Sequence, residues 1–151
     1  MFGLQVRYLS FFFCIISIFS FFNIIYSYYF NLYLNLDTYF YTLIFSFLIF
    51  IVLNIFGKNI KRPSIFDKIL IIFLGYLVLP LILSIPFYLS IYNLTFLNSY
   101  FESISGFTST GFTIFENIRL IDQSLIIWRS STQWIGGLYF LFSIIYLIDI
   151  Y

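Results

Sequence analysis

Histidine is absent from this sequence, cysteine occurs once, and only 9% of its 151 residues are charged. Each shortage removes a class of function. Without histidine, imidazole-based acid–base catalysis and most zinc chemistry are excluded within the chain. The lone thiol, Cys14, sits in an apolar run, forms no internal disulfide and reads as a buried bystander. No nucleophile–base pair can be picked out among the hydroxyls and the few carboxylates, so neither an enzyme nor a cofactor is expected. The net charge of +1 argues against a nucleic-acid partner.

What is abundant is apolar surface. Hydrophobic residues make up 62% of the chain, and a soluble domain of this length could not bury that much. Four long apolar segments stand out, at about residues 9–29, 39–56, 69–92 and 125–148. Each is close to the ~20 residues that cross the hydrocarbon core as a helix. The first follows Arg7 and could be mistaken for a signal peptide. Its apolar run exceeds the ~7–15 residues of such a segment and no small-residue cleavage site follows, so it reads as a retained transmembrane helix. Pro80 and Pro86 predict a kink in the third segment or its end.

Charge placement orients these segments. Lys58, Lys61, Arg62 and Lys68 crowd the connection between the second and third, opposed by Asp67, whereas residues 31–38 carry no Lys or Arg. By the positive-inside rule the basic connection is cytoplasmic, as are Arg7 and the C-terminal end with its solvated Asp149. The basic cluster then serves as a topology determinant in contact with anionic lipid headgroups. Residues 93–124 fall on the opposite side.

That last connection is too apolar and too patterned for a surface loop. Ser99 with Glu102 three residues on fits a capping box, predicting a short helix over 100–107 that ends near Gly106. Two turns cannot span a membrane, but they suit a re-entrant half-helix. Behind it comes the uncharged run Thr108, Ser109, Thr110, Gly111, Phe112, Thr113. Non-helical backbone is tolerated at membrane depth only where protein buries it or it lines a wet cavity. A half-helix dipping inward would aim its partially negative C-terminus at the membrane centre, favouring a cation. The carbonyls of 108–112, with threonine hydroxyls, would then replace part of an ion's hydration shell, and Gly111 would supply a conformation closed to residues with a Cβ. With no carboxylate in the run itself, a monovalent ion is expected. The bland alternative is an ordinary turn.

Other residues carry plainer expectations. Gly136 and Gly137 predict a close helix–helix contact. Trp128 and Trp134 read as interfacial anchors. Arg129 is expected to pair with Glu116, Asp122 or Glu102, or to snorkel to the surface.

The stretch 101–113 (FESISGFTSTGFT) resembles the first pore loop of the TrkH/KtrB/HKT potassium transporters. Residues 128–137 (WRSSTQWIGG) resemble the start of the helix after that loop, and 84–90 (SIPFYLS) the outer end of the helix before it. Several blocks in order make the resemblance specific; Thr-Ser-Thr-Gly alone would be weak. It implies an all-α membrane protein of the bacterial inner membrane. Two N-terminal transmembrane helices (1–62, with the basic loop) would precede one transmembrane helix–re-entrant pore helix and filter loop–transmembrane helix repeat (63–151). Gly111 would be the central glycine of one selectivity-filter strand. Ser109 and Thr110 would offer carbonyls to potassium, with Thr108 and Phe112 flanking and Ser99 and Glu102 capping the pore helix. Some family members move sodium, and many associate with a cytoplasmic nucleotide-binding regulatory subunit. The family pore has four repeats and this sequence contains one. The other three are expected in a missing C-terminal part or a separate chain; self-assembly of four copies is the alternative. A small non-conducting accessory or assembly protein is the competing class.

Overall fold

The computed structural model of the chain describes residues 3–56 and 64–148. Lys58, Lys61, Arg62 and Asp149, on which part of the orientation argument rests, lie outside the described residues. Six helices follow in order: α1 (Gly3–Tyr29), α2 (Leu36–Phe56), α3 (Ile65–Leu83), α4 (Ile85–Tyr88), α5 (Phe96–Phe107) and α6 (Gln123–Ile148), with a 3₁₀ turn at Ile118–Leu120 before α6. Among the described residues there is no strand. Among the described residues, four helical stretches are long and apolar enough to cross a membrane: Arg7–Tyr29, Leu36–Phe56, Ile65–Tyr88 and Gln123–Ile148.

The third stretch lies about four residues earlier than the hydropathy predicts, for two local reasons. At its start, Ser64 and Asp67 form a capping box. The Ser64 Oγ accepts from the Asp67 N–H at 3.2 Å, and the Asp67 carboxylate accepts from the Ser64 N–H at 3.1 Å. At its end, α3 runs through Pro80 and gives way at Ser84, where Pro86 opens the single turn of α4. Pro80 has no N–H for the carbonyl one turn back, so α3 depends on neighbours near this point.

α1 and α2 form an antiparallel pair. Its register is pinned where Asn54 Nδ2 donates to Ser10 Oγ at 2.8 Å. The buried polar residues of the pair are mostly small. On α1, Ser10, Ser17, Ser20, Asn23 and Ser27 are buried, and on α2 so are Thr38, Thr42 and Ser46. The Thr42 and Ser46 hydroxyls donate to carbonyls of their own helix, one turn back. Small hydroxylated side chains let the backbones approach closely where lipid offers no hydrophobic drive. Many large residues of the pair are instead outside, such as Phe22 at 60% and Phe45 at 53% exposed.

The remaining helices and the inner faces of α1 and α2 meet around a fully buried group that includes Phe12, Tyr39, Leu79, Leu83, Phe87, Phe107, Trp128 and Tyr139. Lys68 departs from its expected place in the basic loop. It lies in the first turn of α3, is buried, and donates from Nζ to the Tyr146 carbonyl at 3.0 Å while sitting 4.9 Å from that ring. A cation suits the carbonyl end of α6, which pulls the side chain inward.

Candidate functional site

α5 is one turn longer than the capping pattern predicts. Its N-cap is Thr95, in extended conformation, whose side chain accepts from the Asn98 N–H at 3.3 Å. At 1.5 Å per residue, α5 is about 18 Å long. Ser99 is therefore an interior residue, buried, with its Oγ donating to the Thr95 carbonyl at 3.0 Å. Glu102 is likewise not a capping-box partner. Two candidate caps lie one turn apart in this sequence, and the earlier one is used, which frees the Glu102 carboxylate for other work.

Three side chains of α5 and α6 dock onto the C-terminal half of α3, on either side of Pro80. Ser103 Oγ donates to the Pro80 carbonyl at 2.7 Å, Tyr100 Oη to that of Leu77 at 3.1 Å, and Trp128 Nε1 to that of Leu83 at 3.0 Å. Trp128 is thus fully buried rather than an interfacial anchor, whereas Trp134 is 69% exposed. α6 crosses behind α5 at close range. A Cβ on Gly136 would fall 1.7 Å from the Phe107 carbonyl oxygen, and one on Gly106 2.3 Å from Thr132 Oγ1. Gly136 meets the expectation of a tight contact. Gly137 does not: it faces open space, one position round the helix.

The end of α5 determines how the following backbone lies. The Ser109 N–H donates to the Gly106 carbonyl at 2.9 Å and the Thr110 N–H to that of Ser105 at 3.0 Å, a Schellman closure with Ser109 in the left-handed region at φ 55°. The Gly111 N–H leans on the same Ser105 carbonyl at 3.4 Å, and Gly111 has φ 82°. In a trans peptide the C=O points opposite to the next residue's N–H. Since the N–H groups of 109, 110 and 111 turn back to α5, the carbonyls of Thr108, Ser109 and Thr110 point away from it. All three residues are exposed.

The other two residues of the predicted run are arranged differently. The Phe112 carbonyl accepts from Ser105 Oγ at 2.7 Å and from Arg129 Nη2 at 3.2 Å, and the Gly111 carbonyl accepts from Arg129 Nη2 at 3.3 Å. The expected uniform row of open carbonyls from 108 to 112 is therefore corrected to three open and two occupied. The Thr108 and Thr110 hydroxyls are 2.6 Å apart and share one hydrogen bond, and Thr108 Oγ1 also reaches the Ile104 carbonyl at 2.8 Å.

Arg129 is held by Glu102, of the three partners considered. Its Nε lies 2.5 Å from Glu102 Oε1, and the carboxylate is fully buried. Thr113 Oγ1 at 3.0 Å and the Ile114 N–H at 3.0 Å donate to the same carboxylate. The pair is thus hydrogen-bonded on both sides, as a buried charge requires. Loop 108–114 is stitched at its far end to α5 through Glu102 and to α6 through Arg129. The contact of Arg129 with the loop carbonyls was not foreseen. The available signal was a guanidinium nearly two turns into a membrane-length helix, which marks a buried partner. Beneath the loop, a cavity of about 390 Å³ is lined by Tyr76, Phe107, Thr108, Ser109, Gly136 and Phe140, among others. Among the described residues there is no cluster of His, Cys, Asp and Glu able to hold a metal.

Four apolar helices with bulky residues outside and a braced non-helical loop between them define a multi-pass membrane protein with an internal polar site. Its sequence is similar to that of potassium and cation transporters. It is 34% identical over 90 residues to an uncharacterized cation transporter of Methanocaldococcus jannaschii, covering 56% of this chain and 19% of that protein. It is 33% identical over 73 residues to the Trk system potassium uptake protein TrkG of Escherichia coli, covering 48% of this chain and 15% of the relative. It is 40% identical over 60 residues to the Trk system potassium uptake protein TrkI of Halomonas elongata, covering 40% and 11%. The resemblance to TrkH-type transporters is thereby borne out, and the matched stretch spans a fifth or less of each of these relatives. No family model matches the chain, and no solved structure does.

Proposed function

We propose that this chain contributes one selectivity-filter strand to a pore for potassium uptake. α5 acts as the re-entrant pore helix and residues 108–112 as the strand. The observation that carries this reading is the outward set of the Thr108, Ser109 and Thr110 carbonyls, held by N–H groups that turn back to α5. Neutral oxygens at the negative end of a helix offset the dehydration of a monovalent cation without holding it too tightly to leave. Ser109 and Thr110 supply the coordinating oxygens, and Gly111 gives the turn beyond them. The Glu102–Arg129 pair braces the strand from behind with its two charges matched, so the guanidinium does not repel the ion.

One strand does not enclose an ion. Three further pore repeats, in the same longer polypeptide or in a separate chain, complete the ring in this reading. The face of α6 formed by Ser130, Gln133, Trp134 and Gly137 supports such a neighbour, because it is a groove with polar groups within a membrane-crossing helix. In the same proposal residues 1–62 are an N-terminal anchor pair and 63–151 the pore unit. The N-terminus lies in the cytoplasm of a bacterium, and the basic loop meets anionic lipid, with a cytoplasmic nucleotide-binding subunit as regulator.

The test is growth of a potassium-uptake-deficient strain at low potassium. The chain is expressed alone and together with the product of the adjoining reading frame, each with and without Gly111→Ser. Growth only with both products, lost or made sodium-permissive by Gly111→Ser, is the expected result. Growth with the chain alone would replace the split pore by four assembled copies. Growth with both products that is indifferent to Gly111→Ser would overturn the filter assignment and leave an accessory role.

A further inference from the structure

A second polar assembly lies away from the filter loop, where the N-terminal helix pair meets both ends of the excursion that carries it. Asn35, the residue before α2, is 1% exposed. Its Nδ2 donates to Asp122 Oδ2 at 3.0 Å, and its Oδ1 accepts from the Ile91 N–H at 3.2 Å. Ile91 stands at the start of the excursion, after α4, and Asp122 at its end, immediately before α6. A direct tie joins the same two ends, since the Asp122 N–H donates to Tyr92 Oη at 2.6 Å. The Asp122 carbonyl accepts from the Leu125 and Ile126 N–H groups at 3.0 and 3.1 Å and so opens α6. Ser124 Oγ bonds both to Asp122 Oδ2 and to Tyr39 Oη of α2, and Asn23 of α1 donates to the Ser124 carbonyl at 3.3 Å.

We propose that Asn35 is a positioning residue. It acts as a clasp by which the N-terminal helix pair closes the base of residues 91–122 and thereby sets where α6 starts. A single amide presents the complementary donor and acceptor that a backbone N–H and a carboxylate need, 56 and 87 residues away. Arg129 lies two turns into α6, so its reach to the Gly111 and Phe112 carbonyls depends on where that helix begins. The N-terminal pair is then part of the mechanism that shapes the loop and not a bare membrane anchor. The clasp rests on these contacts and holds whether or not the loop meets an ion.

The chemistry of the pair gives an asymmetric test. Asn35→Asp sets two carboxylates against each other. Asp122→Asn retains an oxygen that still accepts from the Asn35 amide. The double exchange restores an amide–carboxylate pair in reverse, with the new carboxylate still accepting from Ile91. Each variant is made in the full chain carrying Cys14→Ser and Thr110→Cys. The readouts are the rate of thiol labelling at position 110 in membranes and, with Trp134→Phe, the emission of Trp128, whose ring lies 5.9 Å from that of Tyr39. We expect Asn35→Asp to raise the labelling rate several-fold and shift the emission to the red. Asp122→Asn should change both far less, and the double exchange should return both to the parent values. If Asn35→Asp fails to accumulate, recovery of accumulation and of the parent labelling rate by the double exchange is the supporting result. Parent-like labelling in Asn35→Asp, or a double exchange no better than Asn35→Asp, would overturn the proposal. Neither readout requires transport, so a failed growth test leaves this one standing.

Discussion

The seam between α1 and α2 and the junction between α5 and α6 are both rich in hydroxyl groups, yet they use them in opposite ways. Along α2, Thr42 and Ser46 turn back onto carbonyls of their own helix that already have helical donors. They occupy little space and spend little energy, and what they contribute is close approach. Around α5, Ser103 and Ser105 reach backbone of other segments: the Pro80 carbonyl of α3, which also accepts from the Ser84 N–H at 2.9 Å, and the Phe112 carbonyl, which lies outside any helix. At Phe112 the side chains of Ser105 and Arg129 supply the donors that a helix would supply from its own backbone. Identical residue types are spacers in one region and structural ties in the other, according to whether the acceptor lies in the same helix or in another segment.

The sharpest way to break the difference is to remove a charge from the second region. Glu102→Gln leaves the guanidinium of Arg129, whose side chain is 13% exposed, without its counter-charge. Truncating one member of a buried ion pair costs about 3–5 kcal/mol, so this variant should unfold at a markedly lower temperature in detergent than any polar substitution in the α1–α2 seam. A parent-like midpoint would mean the pair does not brace the loop.

Next in size is the contact of α6 with the end of α5. Gly136→Ala drives a methyl group into the Phe107 backbone, which must move, and overpacking of this kind costs about 1–3 kcal/mol or more. Gly137→Ala, one residue on, meets nothing and should fall within about 0.5 kcal/mol of the parent. Equal midpoints for the two variants would contradict the packing described.

The smallest and most direct comparison pairs two serines. Ser105→Ala removes a donor from the Phe112 carbonyl and should cost about 1 kcal/mol, while Ser46→Ala removes only a back-bond within α2 and should stay within about 0.5 kcal/mol. Thermal midpoints measured side by side in one detergent decide it; a larger loss at Ser46 would reverse the assignment of spacer and tie.

Much of the fold was legible in the sequence because apolar length is a local property. Each of the four membrane-length helices overlaps a run of hydropathy, and the short helix before Thr108 was signalled by its serines and glycine. The missed details involve choices between local options or partners distant in the chain. Thr95 and Ser99 are both competent caps one turn apart, and nothing in the adjacent residues ranks them. Glu102 fits a capping box in sequence, but Arg129, 27 residues on, draws its carboxylate sideways. Lys68 looks like one more basic loop residue until the end of α6 is brought beside it. The open and occupied carbonyls of 108–112 depend on the left-handed turn at Ser109, a residue whose type favours no such conformation as glycine would.

The clasp at Asn35 also has a consequence for the order of events during synthesis. A chain made from its N-terminus completes α1 and α2 before residues 91–122 leave the ribosome, and early segments commonly fold first. The amide of Asn35 is then in place while its two partners are still to come. Ile91 arrives ahead of Asp122, so the last contact to form is the one that ends the excursion. Loop closure is thereby converted from a search by two free ends into the capture of one moving end by a seated one.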